Sequence, residues 1–260
     1  MSEPKKQVWA CGGGTQSCAI AVLIIQGKLP KPDISVIADT GRECAETWRY
    51  LDSVLTPELA KVGIAIERIS AERFSYCGTN LFNARGSSLM PMYSTEGGRK
   101  SKLPGYCSKY WKGDVCQRYL SEVHSLTESE IVKWLGYGKE EQTRWTRCMS
   151  GKDYTEGRIF LPLVTAVSLN RAECQALVKS MGWPVPAPRS RCWMCPNQRD
   201  EEWAALSAEE LNRAVEVERE IQLKDPDVWL HRSCIPLDQV DFSQPEDLFS
   251  RPCDSGMCFV

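Results

Sequence analysis

The stretch WACGGGTQSCAIAVLIIQGK, residues 9–28, decides how the chain is read. A short apolar run ends in three consecutive glycines, Gly12, Gly13 and Gly14. Residues 18–26 beyond them are apolar enough to form a buried helix. Strand, glycine turn and helix in that order make an anion site. Glycines let backbone N–H groups approach a phosphate closely, and the helix N-terminus adds favourable partial charge. Thr15 and Ser17 add hydroxyls, with Gln16 between them. The spacing is not G-x-x-x-x-G-K-[ST], because no lysine follows, and it is not G-x-G-x-x-G. On this stretch alone, a turn that serves packing is the competing reading.

Working outward, strand and helix patterns alternate. Residues 7–11 read as a strand, 34–38 as a second, 45–55 as a helix and 64–69 as a third strand. This alternation predicts an α/β fold, a doubly wound parallel sheet. Residues 114–123 read as a helix, 132–137 as a strand, 159–164 as a strand end, and 168–173 as a helix start capped by Asn170 or Ser168. Residues 71–110, rich in Gly, Ser, Asn, Pro and Tyr, read as one long functional loop, and 182–188 as an extended proline-rich link. The acidic segment 204–224 reads as a helix. The expected organisation is a nucleotide-binding domain over residues 1–200. A helical, cysteine-containing extension, residues 201–260, packs on it.

Asp39-Thr40-Gly41 follows the second strand, where open α/β sheets bind ligands beyond the carboxyl ends of their strands. Asp39 is therefore expected to face the glycine loop's crevice; capping the next helix is the plainer alternative. Composition fits a globular enzyme: 42% hydrophobic and 25% charged residues, with no apolar run near the roughly 18 residues of a membrane span. The first residues lack a secretory h-region, so a cytoplasmic location is expected. The net charge of −2 hides an asymmetry, since residues 201–260 carry 14 acidic and 5 basic residues. Residues 85–118 hold seven Lys or Arg against Glu96 and Asp114, which suits a polyanion or simply a solvated face. Thirteen cysteines, an odd number, without a secretory signal argue for reduced thiols. Cys18 and Cys174 fall in apolar helical patterns and read as core.

The loop "GGGTQS" followed by "DTGRECAETW" resembles the pyrophosphatase-loop ATPases of the phosphoadenosine phosphosulfate (PAPS) reductase-like family, proteins of the adenine nucleotide alpha hydrolase-like fold. That family carries Ser-Gly-Gly-x-Asp-Ser and then Asp-Thr-Gly-x-x-x-x-Glu-Thr. "CSKYWK" (Cys107 to Lys112), "GYGKEEQTRW" (Gly136 to Trp145) and "CWMCPNQ" (Cys192 to Gln198) resemble its later motifs in order. The resemblance spans residues 7–200. The tail "CDSGMCFV" resembles a branch that begins with Gly-Gly-Gly-x-Gln-Ser. It implies that Gly12, Gly13, Gly14, Thr15, Gln16, Ser17, Asp39, Thr40, Gly41, Lys139 and Arg144 bind an adenine nucleotide, ATP foremost. It also implies catalytic roles for Asp39, Lys112 and Cys258. Gln16 stands where the family has Asp, so Mg²⁺ handling by the loop is left open. Gly138 stands where the family has Arg, leaving Lys139, Arg144 and Arg147 for phosphate.

Cys192 and Cys195 form a C-x-x-C turn close enough for two thiolates to share a metal. Adenylylsulfate reductases have a comparable layout holding a [4Fe–4S] cluster, which implies Cys107, Cys192, Cys195 and Cys258 as ligands. Zinc is the alternative, and Cys116, Cys253 or an open position could replace Cys258 as the fourth site. The function expected is an ATP-dependent, iron–sulfur-dependent sulfurtransferase-like enzyme that adenylates an acceptor, a nucleic acid or nucleotide reached through residues 85–118, with a redox or sulfur-donor protein as partner. A PAPS or adenylylsulfate reductase is the second reading. A nucleotide- or nucleic-acid-binding module with a structural metal is the third.

Overall fold

The computed structural model describes residues 4–78, 80–183 and 189–243. The expected link at 182–188 and the tail cysteines Cys253 and Cys258 lie wholly or mostly outside these residues. The elements are β1 (Lys6–Ala10), α1 (Thr15–Ile25), β2 (Ile34–Asp39), α2 (Ala45–Tyr50), α3 (Thr56–Ala60), β3 (Ile66–Ser70), α4 (Ala71–Phe74), β4 (Tyr93–Ser94), β5 (Ser101–Lys102), α5 (Asp114–His124), β6 (Ile131–Trp134), α6 (Gln142–Met149), α7 (Lys152–Thr155), β7 (Ile159–Phe160), α8 (Arg171–Ser180), α9 (Asp200–Ala204), α10 (Ala208–Gln222) and β8 (Val228–Trp229). A π-helical turn, Leu51–Leu55, joins α2 to α3, and another, Lys109–Gly113, leads into α5.

The main sheet is five-stranded and wholly parallel, in the order β3-β2-β1-β6-β7. Its inner strands are short and apolar because both faces are covered. Trp9 and Ile37 point to the face carrying α1, α2 and α8, while Val8, Val36 and Ala38 point to the face carrying α4 and α5. That period-two split makes the fold a doubly wound α/β sheet. The strand order runs outward one way through β2 and β3 and the other way through β6 and β7, so the reversal lies between β1 and β6. Among the described residues no helix is long and apolar enough to cross a membrane.

A second core draws on residues from both sides of position 200. Leu89, Met90, Met92, Trp111, Trp193, Met194, Trp203, Val215 and Leu230 pack together. A small antiparallel sheet, β5-β4-β8, ties residues 93–102 to 228–229. Residues 71–110 are therefore not one loop: they supply α4, two short strands and much of this core. The acidic helix expected over 204–224 is α10, which starts only at Ala208. Ser207 sets that start as its N-cap, its Oγ accepting from Glu210 N at 3.2 Å. Strand β6 stops at Trp134, short of the expected 137.

Asn170, rather than Ser168, caps α8; its Oδ1 accepts from Glu173 N at 2.9 Å while Glu173 returns a bond to Asn170 N. Ser168 instead takes a left-handed turn at φ 53°. Asn170→Ala is expected to cost about 1 kcal/mol, read as a lowered midpoint in thermal unfolding; an unchanged midpoint counts against the cap.

Candidate functional site

The glycine loop follows β1 at the point where strand order reverses, the position at which open sheets form ligand crevices. Gly13 adopts φ +71°, and a Cβ there would sit 2.9 Å from Thr47 Cγ2 and 3.4 Å from Ile37 Cδ1. Glycine is thus required twice, by conformation and by space. Gly14 forms the N-cap of α1 without a side-chain cap, and the first turn contains no acid. Ser17, nearly buried, accepts a hydrogen bond from Gly12 N through Oγ at 2.9 Å, which holds the loop onto the helix. Gly136 lets the chain after β6 pass the start of α1, since a Cβ would lie 3.3 Å from Ile20 Cδ1 and 3.7 Å from Gln16 Cβ.

Beside this loop a cavity of about 380 Å³ runs along the α5 face of the sheet. Its floor is apolar, from Val8, Ala38, Leu120 and Leu135, and its rim includes Cys11 and Gly12. Lys109, Lys112, Lys133 and Arg144 bring four positive charges to its wall, against the single carboxylate Glu43. Each cation has a carboxylate partner: Asp114, Glu43, Glu128 and Glu141 respectively. Arg144 also lies 4.4 Å over the Tyr137 ring. An apolar floor with a few convergent charged groups is the usual make-up of a small-ligand pocket.

Asp39 ends β2, as its position in the sequence implied. Its Oδ1 accepts from Gly41 N at 2.8 Å, and its Oδ2 accepts from Arg68 Nε at 2.8 Å. Arg68 in turn stacks 3.6 Å over Trp48. Asp39 therefore braces its own turn and β3, and does not cap α2. Thr40, buried, accepts from Arg42 N at 3.2 Å. Gly41 has φ +68°. Arg144 joins the cavity, whereas Lys139 fixes its backbone to Leu169 O and is exposed.

Lys112 binds Glu43, whose side chain is 2% exposed, with Nζ 2.5 Å from Oε1. Burial is the largest influence and works against the Lys112 charge, but Glu43, Cys192 and Cys107 together outweigh it and raise the ammonium pKa. Glu43 also accepts from Ser190 Oγ at 3.4 Å and from the Cys192 thiol at 3.9 Å. Burial raises the pKa of Cys192, reinforced by Glu43 and opposed by Lys112. Cys107 and Cys192 both lie within electrostatic reach of Lys112 and Arg42. Cys195 closes the C-x-x-C turn, its N–H donating to Cys192 O at 3.1 Å. The structure thus brings Cys107 and Cys192 to the neighbourhood of the cavity's Glu43–Lys112 pair, with Cys195 one turn on from Cys192. Among the described residues, however, no three His, Cys, Asp or Glu side chains converge as metal ligands. Cys258, expected as the fourth ligand, lies outside the described residues. Cys116, weighed as a fourth ligand, lines the α5 side of the cavity instead, its thiol pKa pushed up by burial to about 11.

Residues 85–118 distribute their lysines over two places. Exposed Lys100 and Lys102 donate to Ser233 O at 2.7 Å and Asn197 Oδ1 at 2.5 Å, while Lys109 and Lys112 line the cavity. Sequence reasoning missed Cys11, Glu43, Lys109, Lys133 and Tyr137. Glu43 sits inside the quoted "DTGRECAETW", but an acid there reads as a helix start. Lys133 was legible only through strand alternation, which puts it two residues from Leu135 on one face. Burial raises the Cys11 thiol pKa to about 11 against the pull of Gly13 N–H and Ser17. Comparison of the chain with family models, curated proteins and solved structures finds no match to any of them.

Proposed function

We propose that the protein binds ATP at the strand-order reversal and uses it to adenylate an acceptor before sulfur transfer. The observation that carries this reading is the uncapped N-terminus of α1, with its acid-free first turn and Gly13 backbone, opening beside a cationic cavity. The triphosphate lies over Gly12–Ser17, where the amides and helix dipole offset its charge. The nucleoside enters the cavity, whose floor is apolar. An acceptor oxygen attacks the α-phosphorus, the bond to the bridging oxygen of the β-phosphate breaks, and pyrophosphate leaves with that electron pair. Lys112 and Arg144 are placed to offset charge that develops during this step. A sulfur nucleophile then attacks the activated acceptor carbon, the carbon–oxygen bond breaks, and AMP departs. The sulfur enters as hydrosulfide released by a donor protein, so that its S–C bond replaces the C–O bond lost with AMP; Cys107 and Cys192 lie within electrostatic reach of Lys112. An anionic acceptor, a nucleotide or a nucleic acid, would share the cations of the wall with their present carboxylate partners.

The test is titration of the protein with ATP, followed by assay of pyrophosphate release with RNA, DNA or nucleotides as acceptors and a sulfide donor present. Saturable ATP binding, weakened about tenfold or more by Ser17→Ala through loss of the Gly12 anchor, is expected. Absence of saturable ATP binding overturns the reading. Sulfite release from an adenylated sulfate, without pyrophosphate release from ATP, would assign the site to sulfonucleotide reduction instead.

A further inference from the structure

The segment between Asp39 and α2 is held from the other core. Trp193 N donates to Arg42 O at 2.9 Å and Cys44 N donates to Arg191 O at 3.0 Å, with Glu43 and Cys192 paired as an antiparallel bridge between them. One position further, Ala45 N at the start of α2 donates to Glu210 Oε1 at 2.8 Å, across 165 residues of sequence. The α2 N-cap residue, Cys44, makes no side-chain cap bond. Glu210 therefore supplies from α10 the carboxylate that the start of a helix favours. Two residues into α2, Thr47 is fully buried and fills the space a Gly13 Cβ would need. A continuous set of contacts thus runs from α10 through α2 to the glycine loop.

We infer that Glu210 is a positioning residue for the nucleotide loop: the C-terminal helix α10 sets the placement of α2, and α2, through Thr47, sets Gly13. This rests on the proposed ATP site. Arg191, beside the C-x-x-C turn, acts on the Glu210 carboxylate, and Glu210, Glu43 and Glu46 all lie within electrostatic reach of Cys44 at the start of α2. Glu210 also accepts Ser207 N at 3.1 Å as part of the α10 capping box, so its two oxygens serve two helices.

That dual use fixes the experiment, which reads the Kd for ATP by calorimetry on the full chain. Glu210→Ala is expected to raise Kd about fivefold, the scale of a lost helix cap. Glu210→Gln, whose amide oxygen accepts the same Ala45 N–H, stays within about twofold of the parent. Ala45→Pro removes the bond from the other side. Proline is favoured at a first helical position, Cys44 already has ψ 140° as a residue before proline requires, and Ala45 is exposed. This variant is expected to match Glu210→Ala, and the double variant to be no worse than Glu210→Ala alone, because both remove one interaction. Ser207→Ala weakens the α10 cap without touching Ala45 and should lower thermal stability while leaving Kd unchanged. An unchanged Kd in both Glu210→Ala and Ala45→Pro, additive effects in the double variant, or an equal rise of Kd in Ser207→Ala overturns the inference. Failure of the parent protein to bind ATP instead overturns the proposed function.

Discussion

Gly13→Ala is expected to lower ATP-dependent pyrophosphate release by roughly a hundredfold, the penalty typical of misplacing a site by about 1 Å. The residue holds φ +71°, where a Cβ costs about 1–2 kcal/mol. The added methyl would also meet Thr47 Cγ2 at 2.9 Å and Ile37 Cδ1 at 3.4 Å. Thr47 and Ile37 are both buried, so neither yields cheaply and the loop itself moves. Gly63→Ala separates strain from damage to the site. Gly63 holds φ +77° with open space around it, far along the chain between α3 and β3. It should cost similar stability and leave ATP affinity and pyrophosphate release intact. If Gly13→Ala binds ATP as the parent does, the loop is not the phosphate site.

The sheet and the glycine loop were legible in the sequence because local signals agree there. Apolar runs at 7–11 and 34–38, a glycine triplet and an apolar helix all point to one supersecondary unit, and β1, α1 and β2 form within a few residues of those positions. The start of α10 was read four residues early, at 204, although Ser207 and Glu210 spell a capping box, because Ala204 to Leu206 continue the helical pattern. The second core was illegible for a different reason. It joins residues 81–111 to 193–237, and strands of two residues carry no periodicity that a sequence window can detect. The cavity's cations come from the turn before α5, from β6 and from α6, so only the folded topology brings Lys112, Lys133 and Arg144 together. Glu43 shows the same limit at one residue. Its role depends on Lys112 and Cys192, 69 and 149 residues away.

Lys112→Met tests that pair and carries the second large effect. Methionine keeps an unbranched apolar stem but removes the ammonium, leaving the Glu43 carboxylate, 2% exposed, without its cation and beside the weaker donors Ser190 and the Cys192 thiol. Breaking a fully buried pair costs about 3–5 kcal/mol; because Lys112 remains 37% exposed, about 2–3 kcal/mol is expected in denaturant unfolding. The folded-state pKa of Lys112 is raised, so its contribution is complete below the ordinary lysine value of about 10.4 and fades only as pH rises through the higher folded value. The stability gap between parent and Lys112→Met should therefore be level from neutral to mildly alkaline pH. Adding Glu43→Gln removes the stranded charge, and the double variant should regain most of the lost stability. It should not regain pyrophosphate release, since the charge opposite the transferring phosphate is still missing. A Lys112→Met protein as stable as the parent would show that the pair does not hold the site together. A double variant that recovers activity along with stability would remove Lys112 from the chemistry and leave it a structural cation.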